Sequence, residues 1–164
     1  ASRSRTGWLL VAAQVVLLVA LVLVPTGTAW PMPAWLRTAA SGATLLGLVA
    51  IVVASLTLGR ALTPTPVPNG RGELRTGGLY GLVRHPIYTG VLLVVVGLTV
   101  GTRSIAGLAL GLLTVGFFVL KARWEEARLA EAFPAYRDYA AVTPAFVPFV
   151  PRRLVRGMPG PSTR

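Results

Sequence analysis

The stretch RHPIYTGVLLVVVGLTVGTRSIAGLALGLLTVGFFVLKARWEE, residues 84–126, contains two apolar runs joined at Gly101-Thr102-Arg103-Ser104 and closed by polar clusters at its outer ends. So short a connection predicts an antiparallel helical hairpin. Its two outer clusters, separated by 34 residues, are Arg84-His85-Pro86-Ile87-Tyr88-Thr89-Gly90 and Glu125-Glu126. The hairpin would return both to one membrane face, and the chemistry is expected where they meet.

The rest of the chain agrees with a membrane setting. Hydrophobic residues make up 54% and charged residues 13%, and the mean hydropathy is +0.68, well outside the range of soluble domains. A bilayer crossing takes roughly 17 to 25 apolar residues. Runs at about 8–24, 38–58, 86–102 and 104–122 meet or approach that length. The fold class expected is an all-α integral membrane protein with four transmembrane helices and a cytoplasmic C-terminal helical extension. Pro86 suits a first helical position, where no amide hydrogen is needed.

Arg3 and Arg5 precede the first run, Arg60, Arg71, Arg75 and Arg84 lie between the second and third, and Lys121 and every later arginine follow the fourth. Basic residues near span ends stay in the cytoplasm. Both termini and the motif-bearing loop therefore face that side, with only Arg37 and Arg103 opposite. The cluster Trp30, Pro31, Met32, Pro33 and Trp35 then falls at the outer interface, where tryptophan is favoured. The basic-then-apolar start also resembles a signal peptide, but an uncleaved first span is expected because the charge asymmetry closes only with it.

The net charge of +11 raises the question of nucleic acid. The basic residues are spread along membrane flanks with no nucleic-acid-binding motif, so topology and anionic lipid explain them and no nucleic-acid partner is expected. The chain has no cysteine and one histidine, so neither disulfides nor a thiolate or His-rich metal site is expected. One domain is expected over residues 1–151, with a disordered tail from 152 to 164. Residues 59–83 hold Pro64, Pro66, Pro68, Asn69-Gly70 and Gly77-Gly78 and read as a structured loop or linker. Beyond Lys121 the helix is expected to continue until Pro134, followed by a short element with Tyr136, Arg137 and Tyr139. The apolar, Pro-rich run 144–151 is extended and fit to lie on the membrane or cap a pocket. Gly42, Gly47, Gly97, Gly101, Gly107, Gly111 and Gly116 suit close helix packing.

Leu79-Tyr80-Gly81-Leu82-Val83, the Arg84–Gly90 motif, the hairpin and Glu125-Glu126 together resemble the integral-membrane methyltransferases that include isoprenylcysteine carboxyl methyltransferase and the bacterial phospholipid N-methyltransferases. The composite covers roughly residues 74–151. The resemblance implies S-adenosylmethionine as cofactor, bound on the cytoplasmic side of a bacterial inner membrane. By the same resemblance its pocket draws on Gly78, Tyr80, Val83, Arg84, His85, Tyr88, Glu125 and Glu126. The family often has Gly-Pro-Tyr where this chain has Gly78-Leu79-Tyr80, a less rigid turn.

The cofactor is polar at both ends and needs an aqueous cleft. Glu125 or Glu126 suits its ammonium, Arg84 suits a carboxylate or a bracing role, and Tyr80, Tyr88 and His85 offer planar surfaces. Arg137 or Arg128 would orient a carboxylate on a lipophilic or small-molecule acceptor; for an amine acceptor a glutamate is the candidate base. Plainer readings stand beside these. The glutamates have helical neighbours in Lys121, Arg123 and Arg128, Arg84 doubles as a topology residue, and Tyr136, Tyr139 and Trp124 read as interfacial anchors. Two other functions remain open: a membrane NADPH-dependent reductase of the sterol-reductase type, and a non-catalytic lipid-binding protein. The sequence is silent on oligomeric state.

Overall fold

A computed structural model describes residues 2–59, 74 and 76–149 of the chain. The Pro- and Gly-rich loop between residues 59 and 76, apart from residue 74, and the tail expected to be disordered lie outside the described residues. The described residues form six helices and no strand. These are α1 (Ser2–Leu23), α2 (Ala34–Leu58), the single turn α3 (Leu79–Leu82), α4 (Pro86–Thr102), α5 (Ile105–Ala132) and α6 (Tyr136–Val142).

Three of them, α1, α2 and α5, are long and apolar enough to cross a membrane, and α4 is an apolar helix of 17 residues. Their outward faces carry Leu9, Val16, Leu46, Leu56, Leu112 and Leu120 exposed, the pattern of helices whose solvent is lipid rather than water. α1 and α2 begin earlier than the apolar runs alone indicated. α5 runs ten residues past the expected span and ends one residue before Phe133, because Pro134 cannot continue it.

The tight packing is between α2 and α4. A side chain at Gly90 would fall 2.7 Å from the Gly47 carbonyl oxygen, and one at Gly97 would fall 2.5 Å from that of Ala40. Such small residues let two backbones approach where lipid gives no hydrophobic drive for association. On the other side of α4, Gly107 and Gly111 of α5 seat Thr102 and Thr99. Gly42, Gly101 and Gly116 have nothing within 4 Å of an added Cβ, so the packing role expected of them is not theirs, whereas Gly90, part of the motif, does serve it.

The hairpin turn is closed by Arg103, whose φ of 51° is left-handed, and by Ser104, whose hydroxyl accepts from the Gly107 amide. The loop between α1 and α2 docks on this turn. Gly27 donates to the Thr102 carbonyl at 2.7 Å, Ala29 to that of Arg103 at 2.9 Å, and the Trp30 indole to that of Val100 at 3.2 Å.

Candidate functional site

The hairpin brings the start of α4 beside residues 121–126 of α5, and α6 folds back over both. Arg84 sits at the centre of this junction. Its Nε donates to Glu126 Oε1 at 2.8 Å, and its Nη1 donates to the carbonyls of Ala140 at 2.8 Å and Thr143 at 2.6 Å. Three acceptors on two elements make this guanidinium a brace between α5 and α6. The fork geometry that permits it belongs to arginine and not to lysine.

His85, 8% exposed, donates through Nε2 to the same Glu126 oxygen at 2.9 Å. Its ring stacks on Tyr88 with centroids 5.4 Å apart and planes within 5°, and the Tyr88 hydroxyl donates to Glu125 Oε1. Phe118 of α5 packs edge-on beneath Tyr88. Each glutamate therefore answers one part of the Arg84–Gly90 motif. Neither is paired with Arg123 or Arg128, whereas Lys121, the remaining helical neighbour of the plainer salt-bridge reading, stands 3.9 Å from Glu125 Oε1. Among the described residues the hydrogen bonds to both carboxylates gather on Oε1.

A strap closes the cluster. The backbone amides of Arg84 and His85 donate to the carbonyls of Pro144 at 2.8 Å and Ala145 at 3.0 Å. The Thr89 hydroxyl donates to that of Phe146 at 2.7 Å, and the Phe146 ring lies 5.6 Å from that of His85. The apolar run after α6 thus caps a polar site, one of the two roles expected of it.

Other groups were not singled out for the site by the sequence. Lys121, 5% exposed, donates to Gln14 of α1 at 2.6 Å. It also stands 3.9 Å from Glu125 Oε1 and 5.0 Å from the centre of the Tyr88 ring. In sequence it read as a topology residue and a helical neighbour of Glu125; the signal for its burial was Gln14, a lone amide inside an apolar span. Tyr136 and Tyr139 read as interfacial anchors, and both are inside the junction instead. Tyr136 is buried with no hydrogen-bond partner for its hydroxyl, and burial, then the Glu126 carboxylate, hold its phenol above the usual range. The Tyr139 hydroxyl donates to the Tyr80 carbonyl. Burial pushes the Tyr139 phenol up to about 12, with Arg84 opposing and Glu126 adding to it. Burial, and then Tyr139, push that of Tyr80 up to about 12.

The remaining expected residues fall into place around this core. Tyr80 and Val83 are buried beneath the junction, and Gly78 opens α3 at a φ of 61°, a left-handed conformation that glycine accepts without cost. Arg128 is not gathered with the glutamates; its guanidinium lies 3.1 Å from the centre of the Trp124 ring. Arg137 is exposed on α6 and makes no hydrogen bond or ion pair with a described residue.

A family model described as phospholipid methyltransferase matches residues 35–136, which takes in α2 and the whole hairpin. The chain belongs to the phospholipid methyltransferase family. Two relatives from bacteria extend the comparison. The cobalt-zinc-cadmium resistance protein CzcN of Cupriavidus metallidurans is 38% identical over 106 residues, 63% of this chain and 49% of its own length. The nickel-cobalt-cadmium resistance protein NccN of Alcaligenes xylosoxydans xylosoxydans is 33% identical over 137 residues, 82% of this chain and 62% of its own length. The match to this methyltransferase family member thus spans about half to three-fifths of these curated relatives.

Proposed function

We propose that this family member transfers a methyl group from S-adenosylmethionine to a lipophilic or small acceptor, a carboxylate, amine or thiol, at the cytoplasmic face of a bacterial inner membrane. The observation that carries the proposal is the convergence of both glutamates on the Arg84–Gly90 motif, Glu126 through Arg84 and His85 and Glu125 through Tyr88. On this proposal α4 crosses with the other three helices. Its 17 residues span about 25 Å at 1.5 Å per residue, and Arg84 and Arg103 mark its two ends.

The donor set fits the cofactor. Oε2 of Glu125 and Glu126 would take an ammonium, the stacked rings of His85 and Tyr88 would form an aromatic wall beside it, and the buried Tyr136 hydroxyl stands beside Glu126. Arg84, already committed to three acceptors, holds the frame. When bound, S-adenosylmethionine supplies an electrophilic methyl group on a positively charged sulfur. The protein's part is to position and to exclude water, and the Phe146 strap and the Phe118 floor serve that. Lys121 and Gln14 tie α5 to α1 beside the cluster, and a lipophilic acceptor would come from the membrane. The metal-resistance names of the two relatives give this proposal a setting and not a substrate.

Calorimetry of the detergent-solubilised protein tests it, with S-adenosylhomocysteine and NADPH titrated separately. Heat from S-adenosylhomocysteine alone is expected; heat from NADPH alone would move the protein to the reductase class, and heat from neither would leave a lipid-binding role. Glu125→Gln and Glu126→Gln should each weaken S-adenosylhomocysteine by about tenfold or more, the loss of a charge-assisted hydrogen bond, with the helical content unchanged. Undiminished affinity in both variants would remove the glutamates from the site.

A further inference from the structure

At the other end of the bundle lies an open cleft of about 860 Å³ between the end of α1, the first half of α2 and the end of α4. It is separated from the Glu126 cluster by the length of α4, about 25 Å. Its volume is within the range of ligand clefts, about 300 to 1,000 Å³. Its lining is mostly apolar, with Leu45, Leu48 and Leu98, and also holds Ser41, Thr44 and the two arginines Arg37 and Arg103.

The charge in this lining is unbalanced. Every carboxylate among the described residues, Glu125, Glu126, Glu131 and Asp138, belongs to the far end of the molecule. The Arg37 side chain has no partner among the described residues. Arg103 uses Nε alone, donating to the Trp30 carbonyl at 3.1 Å, and its terminal nitrogens make no hydrogen bond with described residues. Trp30 and the exposed Trp35 stand at the same level, the headgroup depth of a bilayer. Two cations at headgroup depth above a leucine-lined slot complement an amphiphile with an anionic head. An arginine pair matches a phosphate in particular. Among the described residues no acid lines the cleft to meet a headgroup amine, which disfavours zwitterionic lipids.

We infer that this cleft is a binding site for an anionic phospholipid of the phosphatidylglycerol class, its phosphate held by Arg37 and Arg103 and an acyl chain laid against Leu45 and Leu48. The site is separate from the methyl-transfer cluster, and the inference stands whether or not that reaction is the right one.

Native mass spectrometry of the full chain released from phosphatidylcholine micelles provides the test, with phosphatidylglycerol, phosphatidylcholine and water-soluble glycerol phosphate added in separate arms. Phosphatidylglycerol adducts should survive at about tenfold lower lipid concentration than phosphatidylcholine adducts, the worth of one charge-assisted hydrogen bond. Arg37→Gln should erase that preference, and Arg37→Lys should keep part of it. Ser41→Trp, which fills the slot without touching charge, should weaken both lipids. Equal retention of the two lipids, a preference unchanged in Arg37→Gln, or competition by glycerol phosphate as strong as by the lipid would overturn the inference. So would a dimer in phosphatidylcholine that excludes phosphatidylglycerol. Should Arg37→Gln fail to fold, the lysine and tryptophan variants decide between the same outcomes.

Discussion

Arginine is used in opposite ways at the two ends of α4. Arg84 is enclosed, its guanidinium shared among a carboxylate and two carbonyls within 2.8 Å, whereas Arg37 lines a cleft with no side-chain partner among the described residues. One cation is consumed by the fold; the other, on the inference drawn above, is left for a lipid phosphate. Charge alone therefore says little about a basic residue in such a protein. What decides its role is whether the fold brings it an acceptor.

The largest expected effect breaks the enclosed end. Arg84→Ala leaves Glu126 with half its support and two carbonyls without a donor, which should cost about 3 kcal/mol, as for other half-removed buried pairs. Arg37→Ala should stay within about 0.5 kcal/mol, as at ordinary surface positions. Denaturant unfolding in detergent measures both, and equal losses would erase the distinction.

A smaller effect sharpens it by wedging α4 away from α2 at one end or the other. Gly90→Val and Gly97→Val each put a side chain into the α2 backbone or the side chains beside it and should cost about 1 to 3 kcal/mol, the usual toll of overpacking. Gly90→Val, one turn from Pro86, should chiefly weaken S-adenosylhomocysteine, and Gly97→Val chiefly the phosphatidylglycerol preference. Matching losses of both ligands in both variants would mean that the two ends move as one.

The smallest effect concerns pH. The Tyr80 and Tyr139 phenols are held up to about 12, against about 10 for an unfolded tyrosine. Their raised values favour the folded state fully below pH 10, and that contribution is lost as the pH climbs from about 10 through 12. Melting temperatures taken across that window should fall for the wild type and less steeply for Tyr139→Phe. A parallel fall in both would show that Tyr139 does not contribute to it.

The hairpin and the identity of both polar clusters were legible because each rests on local pattern. Two apolar runs with a four-residue connection leave one topology, and Pro86 and Pro134 punctuate it. The bond between Lys121 and Gln14 was not legible, since its partners are 107 positions apart and a lysine at a span end matches the positive-inside rule whether or not it is buried. Tyr136 was misread for a similar reason. An aromatic residue near a membrane end resembles an anchor, and only the return of α6 across Arg84 turns it inward. Gly90 was read solely as part of a chemical motif, although the contact with Gly47 gives it a packing duty as well.

The strap at residues 144–146 also fixes an order of assembly. A ribosome that has delivered α4 and α5 has made Arg84, His85, Tyr88 and both glutamates, yet Tyr136, Tyr139 and the acceptors of the Arg84 and His85 amides are still to come. On the proposed function, ligand capture would await some twenty further residues after Glu126, and the newborn hairpin would settle in the bilayer before it could take hold of anything.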